Sequence, residues 1–254
     1  MSYCNWLQKR KIGVEEEDGY GMQRKSDRKR IRLSNELVYI LGAVILSLAT
    51  AMLSAADFGL SVIVSPAYLV NLKVSFLTFG QAEYVVQGIL FLIFCAVMRQ
   101  VKPLYFGAFL SGVIYGFILD LWRMLIPHFN PEVYAPGTLP MAVRITYFVI
   151  GFFINAFGAT LYFKNRYYPQ VYEFFVKGIS EKYHKDLAKF KLRFDLVFLL
   201  LTVALSLVMF HGIVAIGAGT LIMACCNGPL IGAYSRWFDR HFEVGKVKSR
   251  CFMD

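Results

Sequence analysis

Long apolar stretches separated by shorter polar ones dominate the chain. Several runs approach the roughly 20 residues that a helix needs to cross about 30 Å of hydrocarbon. They predict six membrane spans, at residues 37–56, 84–98, 104–126, 141–163, 196–210 and 213–234. The runs are continuous rather than alternating, which disfavours a membrane β-barrel. The predicted fold class is therefore an all-α, polytopic helical membrane protein.

The pattern of apolar blocks occurs twice, in residues 35–127 and 141–237. Each half has an apolar span, a proline-led amphipathic segment (from Pro66 and from Pro169), a second span and a glycine-rich third span. Because each half contains three spans, the second must enter the membrane from the other face. We predict two inverted three-helix repeats, an arrangement that recurs in secondary transporters. The proline-led segments are predicted to lie flat in the two interfaces, with a gating role as the alternative.

Basic residues predict the topology. With the N-terminus inside, 24 of the 27 Lys and Arg residues fall on one side of the six predicted spans. Because basic loops stay in the cytoplasm, both termini are predicted to be cytoplasmic in a bacterial inner membrane. Residues 1–34 are predicted to be a basic, disordered tail, 35–239 the membrane domain and 240–254 a C-terminal tail. The net charge of +10 then reflects topology and anionic lipid headgroups, and no nucleic-acid partner is expected.

Motifs for chemistry are few. The four histidines and five cysteines do not form the ligand spacings of a metal site. Neither a Gly-x-Ser-x-Gly motif nor a phosphate-binding glycine loop occurs. We therefore expect no enzymatic activity and no cofactor.

Ionisable residues inside spans are costly and become candidate functional groups. Asp120 is the preferred candidate, and we predict an ion pair between Asp120 and Arg144 across spans three and four. Asn155 is a polar candidate within span four. Glu83 and Gln87, four residues apart, form a polar stripe on span two. For Asp57 and Glu83 we favour an interfacial position, where a charge costs little.

The sixth span contains Asn227-Gly228-Pro229. Proline removes a helical hydrogen bond, and the freed backbone groups need partners or a wet cavity. One interpretation is an opened helix that forms a substrate site together with Asp120, Asn155 and Thr220. The alternative is a plain kink that packs through Gly228 and Gly232, as the third span would pack through Gly112 and Gly116. Both interpretations stay open.

Three blocks carry a resemblance to known proteins. They are Ala55 to Ser61 followed by Ser65-Pro66, then Gly112-x-x-x-Gly116-x-x-x-Asp120-Leu121, and the run Val214-Ala215-Ile216-Gly217-Ala218-Gly219-Thr220 leading to Asn227-Gly228-Pro229-Leu230-Ile231-Gly232. From about Ser34 to Asp239 the chain resembles the YczE/YyaS/YitT-type bacterial integral membrane proteins. The resemblance implies a multi-span inner-membrane protein and supplies no settled activity.

The predicted function is a small secondary transporter for a small solute. The alternatives are a substrate-capture or accessory subunit of a larger importer, and a scaffold or regulatory protein that does not transport.

Overall fold

The computed structural model describes residues 31–165 and 169–245. These residues form eight α-helices, one short 3-10 helix at Pro127–Phe129 and one two-stranded sheet. In chain order the main elements are β1 Ile31–Leu33, α1 Asn35–Ala56, α2 Ser65–Lys73, α3 Phe79–Met98, α4 Pro103–Leu125, α5 Met141–Lys164, α6 Val171–Lys182, α7 Leu187–Phe210, α8 Ala218–His241 and β2 Phe242–Val244. The predicted tails fall mostly on residues 1–30 and 246–254, outside the described residues.

Five of the described helices are long and apolar enough to cross a membrane: α1, α3, α4, α5 and α7. The sixth predicted span corresponds to α8, which has 24 residues but is not among the five. The helix runs through Pro229 without a break, so the prediction of an opened helix at Asn227-Gly228-Pro229 is wrong. The irregular backbone lies instead at residues 211–217, before α8 begins.

Polar caps extend two helices beyond the predicted spans. Thr78 and Gln81 form a capping box that starts α3 at Phe79, five residues before the apolar run. The Asp186 side chain accepts the backbone N–H of Lys189 and starts α7 at Leu187. A cap satisfies backbone donors that the helix itself leaves free. The helices therefore begin within polar sequence that apolar content alone assigns to loops.

The centre of the fold is the antiparallel pair α1 and α5, which makes the most extensive contact between helices. Glycines allow the close approach: a Cβ added at Gly158 would lie 2.8 Å from the backbone N of Leu46. One added at Gly42 would lie 3.1 Å from the backbone N of Tyr162. Helix α4 packs on α1, α8 packs on α5, and α3 packs on α4.

The two proline-led segments form half-helices that stand among the long helices. Helix α6 runs alongside α3: Tyr172 reaches Glu83 near the start of α3, and Lys182 Nζ donates to Val97 O near its end. With a rise of about 1.5 Å per residue, α6 begins level with the middle of α3. In the same way α2 has a buried N-terminal half and ends beside α7, where Lys73 Nζ donates to Met209 O. The prediction that these segments lie flat in the interfaces is therefore wrong.

The two ends of the described chain lie together. Strands β1 and β2 pair in parallel, with Ile31 opposite Phe242 and Leu33 opposite Val244. We call this end of the helical layer the terminal face. We call the other end of the long helices the opposite face; it carries the C-terminal ends of α2 and α4 and the loop at residues 130–140.

Candidate functional site

A cluster of polar side chains is buried between α3, α4, α6 and α1. We call it the Glu83 cluster, and it consists of Glu83, Gln87, Tyr172, Tyr115 and Thr50. The side chain of Glu83 is completely buried. Its Oε2 accepts hydrogen bonds from Tyr172 Oη, at 2.9 Å, and from Gln87 Nε2, at 3.2 Å.

The other carboxyl oxygen of Glu83 has no partner. Glu83 Oε1 and Gln87 Oε1 are both buried and make no hydrogen bond. Among the described residues the ion pairs are Arg144 with Asp57, Lys164 with Asp239 and Lys191 with Asp195, so none of them involves Glu83. A carboxylate buried without a cation costs several kcal/mol. A group in this position is suited to take up a proton and to release it only when water or a partner enters.

The cluster continues from α3 toward α1. Tyr115 Oη on α4 donates to Thr50 Oγ1 on α1 at 2.7 Å. Gly112 and Gly116, two of the glycines assigned to helix packing, lie where α4 meets α3. A Cβ added at Gly112 would overlap Gln87 Oε1, and one at Gly116 would lie 2.5 Å from Tyr84 Cε1. Small residues on α4 thus make the room that the Gln87 side chain occupies.

Two features give the cluster an asymmetric position. Glu83 is the fifth residue of α3, about 6 Å along the helix from the opposite-face end. On its other side stands the first turn of α6, which has no side-chain cap. The free backbone N–H groups of such a turn carry partial positive charge. The carboxyl group of Glu83 therefore lies close to the opposite face, and α6 separates it from the terminal face.

Asp120 and Arg144 do not pair with each other. Asp120 accepts hydrogen bonds from Thr78 Oγ1, at 2.5 Å, and from the backbone N–H of Gly80, at 2.8 Å. Arg144 instead pairs with Asp57, with 3.3 Å between Nη2 and Oδ2, and also donates from Nε to Ala56 O. The predicted Asp120–Arg144 ion pair is wrong because each partner binds a nearer backbone end: Asp120 the start of α3, Arg144 the end of α1.

The other predicted site residues lie in separate places. Asn155 is buried, and its Nδ2 lies 3.5 Å from Asn227 Oδ1, a long contact between α5 and α8. Thr220 Oγ1 accepts the backbone N–H of Gly217 at the start of α8. The structure thus joins Asn155 with Asn227 and leaves Asp120 and Thr220 elsewhere, so the single predicted cavity is not formed.

The second glycine pair does not pack against a neighbouring helix. A Cβ added at Gly228 would meet no other atom within 4 Å. One added at Gly232 would meet only Arg236 of the same helix, at 3.6 Å, and Pro229 is exposed. The alternative prediction, close packing through Gly228 and Gly232, is wrong for the described residues.

The sequence predicts an interfacial position for Glu83, where a charge costs little, but its side chain is completely buried within the protein. The signal that could have found it was the stripe of Glu83 and Gln87 at a spacing of four, which places both on one helix face. Nothing in the sequence pointed to Tyr172, whose partner lies 89 residues away.

Long apolar helices packed around α1 and α5, with two buried half-helices, define a multi-pass helical membrane protein. The chain belongs to a family described as "Family of unknown function (DUF6198)", whose profile matches residues 33–236. It is also similar to the uncharacterized protein YyaS of Bacillus subtilis (strain 168), with 26% identity over 207 residues, or 81% of this chain and 94% of that protein. These matches confirm the resemblance to YyaS-type proteins. No solved structure matches the chain.

Proposed function

We propose that the protein is a small secondary transporter whose cycle depends on proton uptake and release at Glu83. The observation that carries the proposal is the completely buried carboxyl group with one unpartnered oxygen. An ionisable group in a membrane helix costs several kcal/mol, so its retention indicates a functional role. In transporters such groups bind protons or ions.

Inverted repeats are supported by the pairing of helices. If α1, α2, α3 and α4 correspond to α5, α6, α7 and α8, the contact of α1 with α4 corresponds to that of α5 with α8. The contact of α2 with α3 corresponds to that of α6 with α7, and the contact of α3 with α6 to that of α7 with α2. The central contact of α1 with α5 corresponds to itself. These matches support a two-fold axis in the membrane plane.

Two contacts lack a counterpart of similar extent. Helix α4 contacts α6, whereas α8 and α2, in the described residues, make at most a slight contact. Helices α3 and α4 pack closely, whereas α7 and α8, in the described residues, make at most a slight contact. Two repeats in different conformations give a transporter one closed and one open side at a time. The asymmetry therefore favours a protein that alternates between two states over a rigid scaffold.

Six crossings are supported by the position of the chain ends. Strands β1 and β2 pair directly, so the chain must cross the membrane an even number of times between them. Five helices qualify by composition, and α8 supplies the sixth crossing. The distribution of basic residues supports a cytoplasmic position for both ends in a bacterial cell, and there we expect Lys and Arg side chains to contact anionic lipid headgroups.

The geometry suggests how a proton could move. In the present arrangement a protonated Glu83 accepts the hydrogen bonds of Tyr172 Oη and Gln87 Nε2 and needs no counter-ion. Displacement of α6 along α3 would separate Tyr172 from Glu83 and open the carboxyl group to the terminal face. Displacement of α2, the counterpart of α6, would open the other side. A solute that replaces the Tyr172 contact would couple its own binding to the loss of the proton.

The test is proton movement in proteoliposomes that contain a trapped pH dye. Separate proteoliposomes contain the wild-type protein, Glu83→Gln or the exposed control Glu132→Gln. Amino acids, sugars and organic acids are added to the outside of each. We expect at least one solute class to drive proton movement in wild type and Glu132→Gln, and none in Glu83→Gln. Equal proton movement in Glu83→Gln would overturn the role of Glu83. A wild-type protein that moves no solute, yet purifies with a membrane ATPase, would favour the accessory subunit.

A further inference from the structure

We propose that a pocket on the opposite face binds a small carboxylate, with Arg123 as its cation. The pocket lies between the end of α1, the start of α2 and the segment that follows α4. Its wall includes Ser54, Tyr68, Arg123, His128, Phe129 and Tyr134. We call it the Arg123 pocket.

Arg123 is held firmly and buried. Only 7% of the residue is exposed. Its Nε donates to Phe129 O at 3.3 Å, and its Nη1 donates to Asn71 Oδ1 at 3.0 Å. The guanidinium group also lies over the ring of Phe79, 5.3 Å from its centroid. The side chain is therefore pre-positioned, which reduces the entropy lost when a ligand binds.

The positive charge of Arg123 has no acidic side chain in contact with it. Among the described residues no carboxylate lies within 4 Å of the guanidinium, and both of its acceptors are neutral. Asp120, one helical turn away, is the nearest candidate, but its two oxygens bind Thr78 and Gly80. The remaining nitrogen, Nη2, has no hydrogen-bond partner in the part of the chain that the structure describes. An arginine fork with free donors matches the two oxygens of a carboxylate.

The rest of the wall offers contacts to both ends of such a ligand. Its surface is polar and apolar in about equal parts: Ser54, Tyr68, His128 and Tyr134 supply polar groups, and Phe129, Pro131, Pro136 and Leu139 supply apolar surface. A carboxylate with a short apolar body satisfies both the guanidinium and the wall. The enclosed space measures about 10 Å³, room for about one water-sized group, so we expect the carboxylate group alone to enter it and the apolar body to lie in the mouth formed by exposed residues 132–138.

The inference goes beyond the proposed transport and does not depend on it, because binding is measured without flux. The probe is propionate, titrated into the purified full-length protein in nanodiscs by calorimetry. The matched neutral probe is propionamide. The variants are Arg123→Gln, the exposed cation control Lys73→Gln, and Ala135→Trp, which closes the mouth and leaves Arg123 unchanged.

We expect propionate to bind wild type and Lys73→Gln with similar affinity and propionamide to bind neither. The Kd for propionate should rise at least tenfold in Arg123→Gln and in Ala135→Trp. Glu83→Gln should bind propionate as wild type does, even if it abolishes proton movement. If Arg123→Gln fails to fold, the Ala135→Trp result decides. Absent binding in wild type, equal binding of propionamide, or unchanged binding in the folded variants would each overturn the proposal.

Discussion

Two glycine-to-alanine changes test the observed helix packing. Gly80 on α3 lies against α4, where an added Cβ would overlap the carbonyl oxygen of Gly116 and lie 2.7 Å from its carbonyl carbon. At Gly228 on α8 the same Cβ would meet no atom within 4 Å. The chemical change is identical, and only the surroundings differ.

The magnitudes follow from two opposing effects. Alanine favours a helix over glycine by up to about 1 kcal/mol. Overpacking a tight contact costs about 1–3 kcal/mol, because two backbones must separate. At Gly80 the overlap involves backbone atoms, which cannot rotate away. The added Cβ would also strain the hydrogen bond from Gly80 N–H to Asp120. We expect Gly80→Ala to destabilise by about 1–3 kcal/mol, and Gly228→Ala to be neutral or stabilising by up to about 1 kcal/mol.

The assay is thermal unfolding of the detergent-purified variants, followed by size-exclusion chromatography with fluorescence detection. About 1 kcal/mol corresponds to roughly 2–4 °C in Tm for a chain of this size. Unfolding of membrane proteins is often irreversible, so all variants are compared at one heating rate. A Gly80→Ala protein as stable as wild type, or a Gly228→Ala protein that loses as much as Gly80→Ala, would refute the packing described for these helices.

Two further variants test the contacts of Arg144 and Asp120. Burial raises the pKa of Asp57, and Arg144 opposes this rise. Arg144→Gln should therefore raise the pKa of Asp57 further, and it should lower Tm more at pH 7, where the carboxylate is charged, than near pH 4. An equal loss of Tm at both pH values would contradict the pairing. Asp120→Asn should lower Tm by a few degrees, because it weakens the start of α3 by about 1 kcal/mol. Proton movement per folded protein should stay unchanged. A selective loss of proton movement would instead make Asp120 a functional group.

The long helices could be predicted from the sequence because continuous apolar runs are required to cross a membrane. Their starts could not, since α3 and α7 begin in polar sequence fixed by Thr78 and Asp186. The proline-led segments can be predicted as amphipathic elements, but a pattern of aromatic and basic residues does not distinguish a helix on a membrane surface from one buried between spans.

The candidate site was harder to predict because burial depends on partners distant in sequence. Asp120 lies inside the predicted span 104–126, whereas Glu83 lies just before the predicted span 84–98, so the apolar pattern ranks Asp120 first. In the structure Asp120 of α4 accepts a hydrogen bond from Thr78 at the start of α3, and Glu83 accepts one from Tyr172 of α6. Likewise Gly112 and Gly228 each begin a Gly-x-x-x-Gly pattern in the sequence, yet only Gly112 faces a neighbouring helix.

The central claim is that the Glu83 carboxyl group exchanges a proton in the folded protein. Dicyclohexylcarbodiimide tests it directly, because this apolar reagent adds to protonated carboxyl groups and leaves a stable adduct that peptide mass spectrometry locates. We predict that the peptide containing Glu83 is labelled in membranes, that labelling declines as pH rises, and that Glu83→Gln abolishes it. Labelling of Glu83 that is absent at every pH, or that does not change with pH, would mean that the carboxyl group is sealed or permanently neutral and would contradict the claim.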